Sequence, residues 1–145
     1  MRLIGTVDGK VDAKGRVFLP AIFRRALGDK ESASLVMRKD IFENCLVLYT
    51  ESEWYEHLDE LQQRLNRWNR EHRALFRRYV SDVEWLTLDA GGRFLMPRRY
   101  LQMAGIRQEV TFVGMDRTIE IWAKRDKSEN DDNQGFGDKL QELMA

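Results

Sequence analysis

The chain has 145 residues, enough for one compact unit or two very small ones, and its 43% hydrophobic content suits a globular fold. Lys plus Arg and Asp plus Glu both number 24, so a simple polycation is excluded. No apolar run approaches the ~20 residues that span a bilayer, no signal-peptide pattern opens the chain, and Cys45 is alone, which excludes an internal disulfide framework and fits a reducing cytoplasm.

The balanced total hides a polarity. Residues 2–28 carry Arg2, Lys10, Lys14, Arg16, Arg24 and Arg25 against Asp8 and Asp12, a net +4. Residues 126–142 carry Lys127 and Lys139 against six acids, a net −4. A basic end of this kind attracts a polyanion.

In chain order, residues 2–7 read as a strand and Asp8-Gly9 as a tight turn. Val11 then enters the stretch Asp12-Ala13-Lys14-Gly15-Arg16. Asp12 suits a turn start, where its carboxylate accepts backbone amides, and Gly15 supplies a conformation that a Cβ disfavours. Val17 to Leu19 resume a strand. Pro20 suits a first helical position and Gly28 the residue past the helix end, so 20–27 reads as a helix burying Ile22, Phe23, Ala26 and Leu27. Asp29 to Ser32 is a loop. Residues 34–38 and 45–49 read as paired strands.

Thr50-Glu51-Ser52-Glu53 fits a capping box that opens a helical segment. Trp54, Leu58, Leu61, Leu65, Trp68, His72, Leu75 and Tyr79 then recur at steps of four and three, the spacing of a narrow apolar seam. Asn66 and Asn69 suggest a turn between two helices. The seam fits a helical cover over a sheet, and it fits a contact between subunits. His72 reads as packing and His57 as surface.

Residues 83–88 form a strand, and the earlier stretch then returns as Leu88-Asp89-Ala90-Gly91-Gly92-Arg93-Phe94-Leu95-Met96-Pro97, offset by 77 residues. Six of the 18 aligned positions are identical, among them Asp12/Asp89, Gly15/Gly92, Arg16/Arg93 and Pro20/Pro97. Two copies are too few for a solenoid and imply a duplicated module. A helix over 97–104 and strands over 110–113 and 118–122 complete the second copy. Residues 126–138 are polar and read as disordered, with a last helical turn around Leu140, Leu143 and Met144.

Asp and Arg in each motif fit an ion pair that staples the turn. An exposed pair is worth only ~0–1 kcal/mol, however, and a turn-mounted Arg suits a phosphate or a guanine edge. An enzyme built on Asp12, Asp89 and the arginines is disfavoured: neither His neighbours a plausible nucleophile, Cys45 lies in a strand, and no phosphate-cradling loop or metal-ligand cluster is present. No cofactor and no metal are expected. An oligomerising scaffold built on the Trp54–Tyr79 seam, without nucleic acid, is the rival reading.

The paired Asp-x-x-Gly-Arg motifs, the Pro-started helices, the helical linker and the closing strands 46–49 and 119–122 resemble the MraZ family over residues 1–125. The resemblance implies two SpoVT-AbrB modules, at 1–50 and 81–125, joined by an oligomerising linker at 51–80 and followed by an acidic, disordered tail at 126–145. The implied fold is α+β, mainly β: two interlocked swapped-hairpin modules forming a pseudo-dimeric β-barrel. The implied function is a sequence-specific transcriptional regulator, a repressor of the bacterial cell-division and cell-wall gene cluster, cytoplasmic and nucleoid-associated. It would bind repeated boxes of double-stranded promoter DNA as a ring of identical chains. Arg16, Arg93, Lys14 and Lys10 would contact DNA, while Asp12, Gly15, Asp89 and Gly92 shape the turns. Gly91 replaces Lys14 in the second copy, so the first motif would carry more of the phosphate binding.

Overall fold

A computed structural model describes residues 2–124 and 135–145. The elements run β1 (Leu3–Lys10), β2 (Arg16–Phe18), α1 (Ala21–Ser32), β3 (Leu35–Lys39), β4 (Leu46–Thr50), α2 (Glu51–Arg64), α3 (Arg70–Ser81) and β5 (Glu84–Leu86). They continue with β6 (Arg93–Leu95), α4 (Arg98–Met103), β7 (Glu109–Asp116), β8 (Ile119–Ala123) and α5 (Phe136–Met144).

The fold is α+β, with antiparallel sheets built from two modules. Six strands form one sheet in the order β1-β7-β8-β4-β3-β5, and β2 and β6 pair in a separate ribbon. The order is symmetric between the copies. β1 pairs with β7 and, 77 residues on, β5 pairs with β3, so each copy lends its first strand to the other. β4 and β8 meet at the centre, Leu46 opposite Ile121 and Leu48 opposite Ile119.

The expected pseudo-dimeric β-barrel does not form. The large sheet is open, with β1 and β5 at its two edges. After Lys10 the chain bends through the first motif into β2, whose partner is β6, so the strands that might have closed the sheet pair with each other instead. β5 pairs over three residues only, too short an edge to carry a closing ladder.

Alternation along the central strands explains the layers. Leu35, Met37, Leu46 and Leu48 point to one face, where they join Val17, Leu19, Phe23, Phe94, Tyr100 and Phe112 in the main core. Val36, Val47 and Tyr49 point to the other, where Trp54, Leu58 and Tyr79 of the helical pair cover them. Strands buried on both faces read as unbroken apolar runs, as Leu46-Val47-Leu48-Tyr49 does. Phe23 and Tyr100 occupy equivalent places in the two copies, both fully buried, whereas Ile22, expected in the same buried stripe as Phe23, is 53% exposed.

Several local expectations change. Asp8-Gly9 is not a turn: β1 runs through it, with Asp8 opposite Thr111 and Gly9 opposite Val110. Glycine is needed there for space, since a Cβ at Gly9 would lie 2.9 Å from the Phe112 ring. Pro20 and Pro97 stand one residue before their helices, in extended conformation. Gly28 does break α1, with φ of 76°, but the residues after it form a further turn rather than a loop.

The helical segment divides into α2 and α3. Thr50 accepts the Glu53 amide at 3.1 Å and Asn69 accepts that of His72 at 3.1 Å, each capping a helix start. The seam is covered only in its outer parts. Trp54 is buried and stacks on Tyr79 at 5.7 Å, whereas Trp68 is 87% exposed and Leu75 62%. His57, expected at the surface, is half-buried beside Trp54 and hydrogen-bonds the Tyr79 hydroxyl across the helical pair. His72 accepts the Asn66 amide at 2.8 Å and so braces the elbow.

In the tail, Phe136–Met144 is a nine-residue helix where only a last turn was expected. The disorder expected over residues 126–138 concerns, for 126–134, residues outside the described ones, whereas 136–138 begin this helix.

Two outcomes follow from this packing. Trp54→Ala should cost about 3–5 kcal/mol of stability, read by chemical denaturation, because it empties the second core. Burial lowers the His57 pKa from 6.5, with Glu60 opposing and Arg38 adding to the shift. The stability tied to a neutral ring is therefore complete above 6.5 and lost as pH falls through the lowered folded value. Denaturation midpoints should fall on acidification in the wild type, with a weaker dependence in His57→Gln.

Candidate nucleic-acid interface

Each motif closes through its own carboxylate. Asp12 accepts the Lys14 and Arg16 amides on one oxygen and the Arg16 Nε on the other, all at 2.9 Å. Asp89 does the same for the Gly91 and Arg93 amides, at 2.9 Å, and for the Arg93 Nε at 3.0 Å. The Arg16 amide first, then the Arg16 side chain and the Lys14 amide, hold the Asp12 carboxyl below its ordinary range. Asp89 is lowered in the same way, chiefly by the Arg93 amide. Gly15 and Gly92 have φ of 88° and 86°, where a side chain is strained.

The two turns are tied to each other. Leu19 donates its amide to the Gly92 carbonyl at 3.0 Å, and Met96 donates to the Gly15 carbonyl at 2.8 Å. Together with the β2–β6 ladder, this makes both corners one rigid unit.

The ribbon register decides which side chains share a face. Arg16 stands opposite Leu95 and Phe18 opposite Arg93, while Val17 opposes Phe94 between them. Val17 and Phe94 are buried in the core. Arg16, Phe18, Leu95 and Arg93 therefore line the opposite, outward face, with the two arginines in the diagonal positions, roughly 7–8 Å apart at Cα. Phe18 is 56% exposed and Leu95 58%, so two guanidinium groups bracket an apolar strip. The Arg93 guanidinium lies 5.7 Å from the Phe18 ring centre. Each arginine uses Nε for its aspartate; among the described residues, the terminal nitrogens have no protein hydrogen-bond partner.

Lys14 is exposed at the tip of the first turn, and Lys10 is exposed at the end of β1, opposite Glu109. The second turn has Gly91 where the first has Lys14, but a cation reaches it from elsewhere. Arg24 of α1 donates Nε to the Leu19 carbonyl at 3.0 Å and lies over Gly92, where a Cβ would stand 2.3 Å from Nη1. An open hollow of about 650 Å³ between α1 and this turn is lined by Arg24, Arg25 and Asp89. Its counterpart 77 residues on, Leu101, is apolar, so the arrangement is not duplicated. The sequence counts Arg24 only toward the basic end, and its contact with the second turn is visible only in the fold. Arg99 lies outside the face, held by Asp82 and by Glu84 at 2.9 Å.

Cys45 is fully buried, and burial pushes its thiol up to about 12, which removes it as a nucleophile. Among the described residues, no group of three or more His, Cys, Asp or Glu could hold a metal ion, and no helix is long and apolar enough to cross a membrane.

The family model described as "MraZ protein, putative antitoxin-like" matches residues 3–78 and 83–127. The chain belongs to the MraZ family. Among relatives named transcriptional regulator MraZ, that of Bacteroides fragilis is 52% identical over 99% of this chain and 92% of its own length. That of Bacteroides thetaiotaomicron is 49% identical over 99% of this chain and 93% of its own length. That of Clostridium tetani is 31% identical over 97% of both. This MraZ-family chain is accordingly a transcriptional regulator and not an enzyme.

The Arg24–Gly92 contact has a measurable signature. Gly92→Ala should destabilise the protein by roughly 1–2 kcal/mol from backbone strain, and further by pushing Arg24 away. In an Arg24→Ala background the second part should vanish, leaving strain alone. Equal costs in both backgrounds, measured by a double-mutant cycle, would show that the two residues do not press on each other.

Proposed function

We propose that this regulator binds double-stranded DNA of its own promoter region through the outward face of the β2–β6 ribbon. The observation that carries the reading is that Arg16 and Arg93 lie on one exposed face, across a rigid pair of strands. A two-stranded ribbon fits the major groove, Arg forks match phosphates or guanine edges, and apolar side chains such as Phe18 and Leu95 suit thymine methyl groups. Lys14 and Lys10 add phosphate contacts at the first corner. Arg24 supplies a cation at the second, which lessens the expected imbalance between them. Asp12, Gly15, Asp89 and Gly92 hold the corners in shape.

In this reading residues 1–50 and 81–125 are the two SpoVT-AbrB modules and 51–80 is the linker. Occupancy of the promoter of the cell-division and cell-wall gene cluster represses it, with the protein at the nucleoid in the cytoplasm. One ribbon makes few contacts. A ring of identical chains engages repeated boxes with raised effective concentration, without any new contact.

The test is electrophoretic retardation of the protein's own promoter DNA. Arg16→Ala and Arg93→Ala should each weaken binding by about 1–3 kcal/mol, with assembly size unchanged by light scattering. Wild-type affinity in both variants would remove the assigned face. No retardation by the wild type would favour the scaffold, to which exposed Trp68 and Leu75 already lend an apolar surface.

A further inference from the structure

The two helices of the linker carry opposite charge. Residues 51–60 hold five acids and no Lys or Arg, a net −5, and residues 64–78 hold six arginines against Glu71, a net +5. Among the described residues, none of these side chains forms an ion pair. Each charge is therefore left unneutralised within the chain.

Helix geometry turns each charge into a stripe. In α2, Trp54 and Leu58 turn toward the sheet. At about 3.6 residues per turn, Glu56, Asp59 and Glu60 fall on the opposite side, and all three are exposed. In α3, Phe76 and Tyr79 are the half-buried side, so Arg70 and Arg77 point away from it with Arg73 at the margin, again all exposed. The acids also crowd one another: burial first, and then Glu56 and Glu60, push the Glu53 carboxyl up, with Arg117 opposing.

An exposed aromatic group flanks each stripe. Trp68, 87% exposed, shares a hollow of about 410 Å³ with Arg70, Arg73 and Arg77. Its turn is fixed, since Asn66 accepts the Trp68 amide at 2.9 Å and donates its own amide to His72 at 2.8 Å. On the acidic side, Tyr55 lies one turn from both Glu51 and Asp59 and packs on Trp85 of β5 at 6.2 Å, both rings half-exposed.

We propose that the Arg70–Arg73–Arg77 stripe of one copy docks on the Glu56–Asp59–Glu60 stripe of a second copy, with Trp68 against Tyr55 and Trp85. Charge complementarity commits the partner. A polyanion would satisfy the arginines and leave the acids bare, whereas another copy supplies the missing partner to both. Aromatic anchors beside a charged rim are the usual composition of such a contact. Two different patches meeting from copy to copy make a head-to-tail contact, which closes into a ring where the rotation allows. The proposal rests on the assembly reading above and names its surface; DNA plays no part in it.

The test uses two full-length variants without DNA, sized by light scattering. One carries Arg70→Glu, Arg73→Glu and Arg77→Glu; the other carries Glu56→Arg, Asp59→Arg and Glu60→Arg. All six positions are exposed, so thermal melting of the fold should be retained. Each variant alone should lose the wild-type assembly, because like charges now face each other. Mixing them should restore it, with both chains present in equal number by native mass spectrometry. The single changes Arg73→Glu and Asp59→Arg should show the same loss and rescue in smaller degree, which keeps the answer open to either triple variant misfolding. Wild-type assembly in both variants alone would overturn this contact and leave the assembly reading standing. Loss without rescue on mixing folded chains would overturn it too. A wild-type protein that stays a single chain would overturn both.

Discussion

The structure depends on a carboxylate closing each of two turns whose glycine carbonyls are claimed by the opposite copy. Asp12 and Asp89 gather two backbone amides and one guanidinium apiece. Those turns in turn present the Gly15 and Gly92 carbonyls to Met96 and Leu19. Neither corner is complete without the other. The arginines are consequently oriented by the same groups that fix the backbone, and their spacing is set by a ribbon register rather than by flexible loops. A preorganised pair loses less entropy on meeting a charged ligand than two independent long side chains would.

The large sheet serves this arrangement from behind. Its two faces are buried by different means, the ribbon with α1 and α4 on one side and the helical pair on the other. Exchange of β1 and β5 between copies gives the halves a shared hydrogen-bond ladder, so module separation would break both edges of the sheet at once. The helical pair then extends beyond what it covers. Trp54 and Tyr79 anchor it, while the elbow around Trp68 stays in solvent. One end of the linker is core and the other is surface.

Much of this was legible in the chain. The 77-residue offset carried the motif turns, the equivalent helices and the equivalence of Phe23 with Tyr100, because each depends on local turn chemistry or on periodicity. The split at Asn66 and Asn69 was legible for the same reason. Sheet closure was not, since it depends on which strand partners β2, a non-local choice absent from any short window. Asp8-Gly9 carries turn residues but lies opposite β7, and the space beside Phe112 explains its glycine better than any turn does. His57 was misplaced because Tyr79 reaches it only when α3 folds back on α2. Arg24 was counted toward the basic end but given no role, because solvated helical arginines are ordinary and only the fold reveals which of them meets a turn.

The central claim is that Arg16 and Arg93 act together on one polyanion, and the salt dependence of DNA affinity tests it most directly. Each phosphate neutralised contributes roughly −0.9 to the slope of log affinity against log salt on duplex DNA. Removing both arginines should flatten that slope by about 1.8 per bound chain if each neutralises one phosphate, with the assembly intact. A double variant that retains the wild-type slope and affinity would contradict the account.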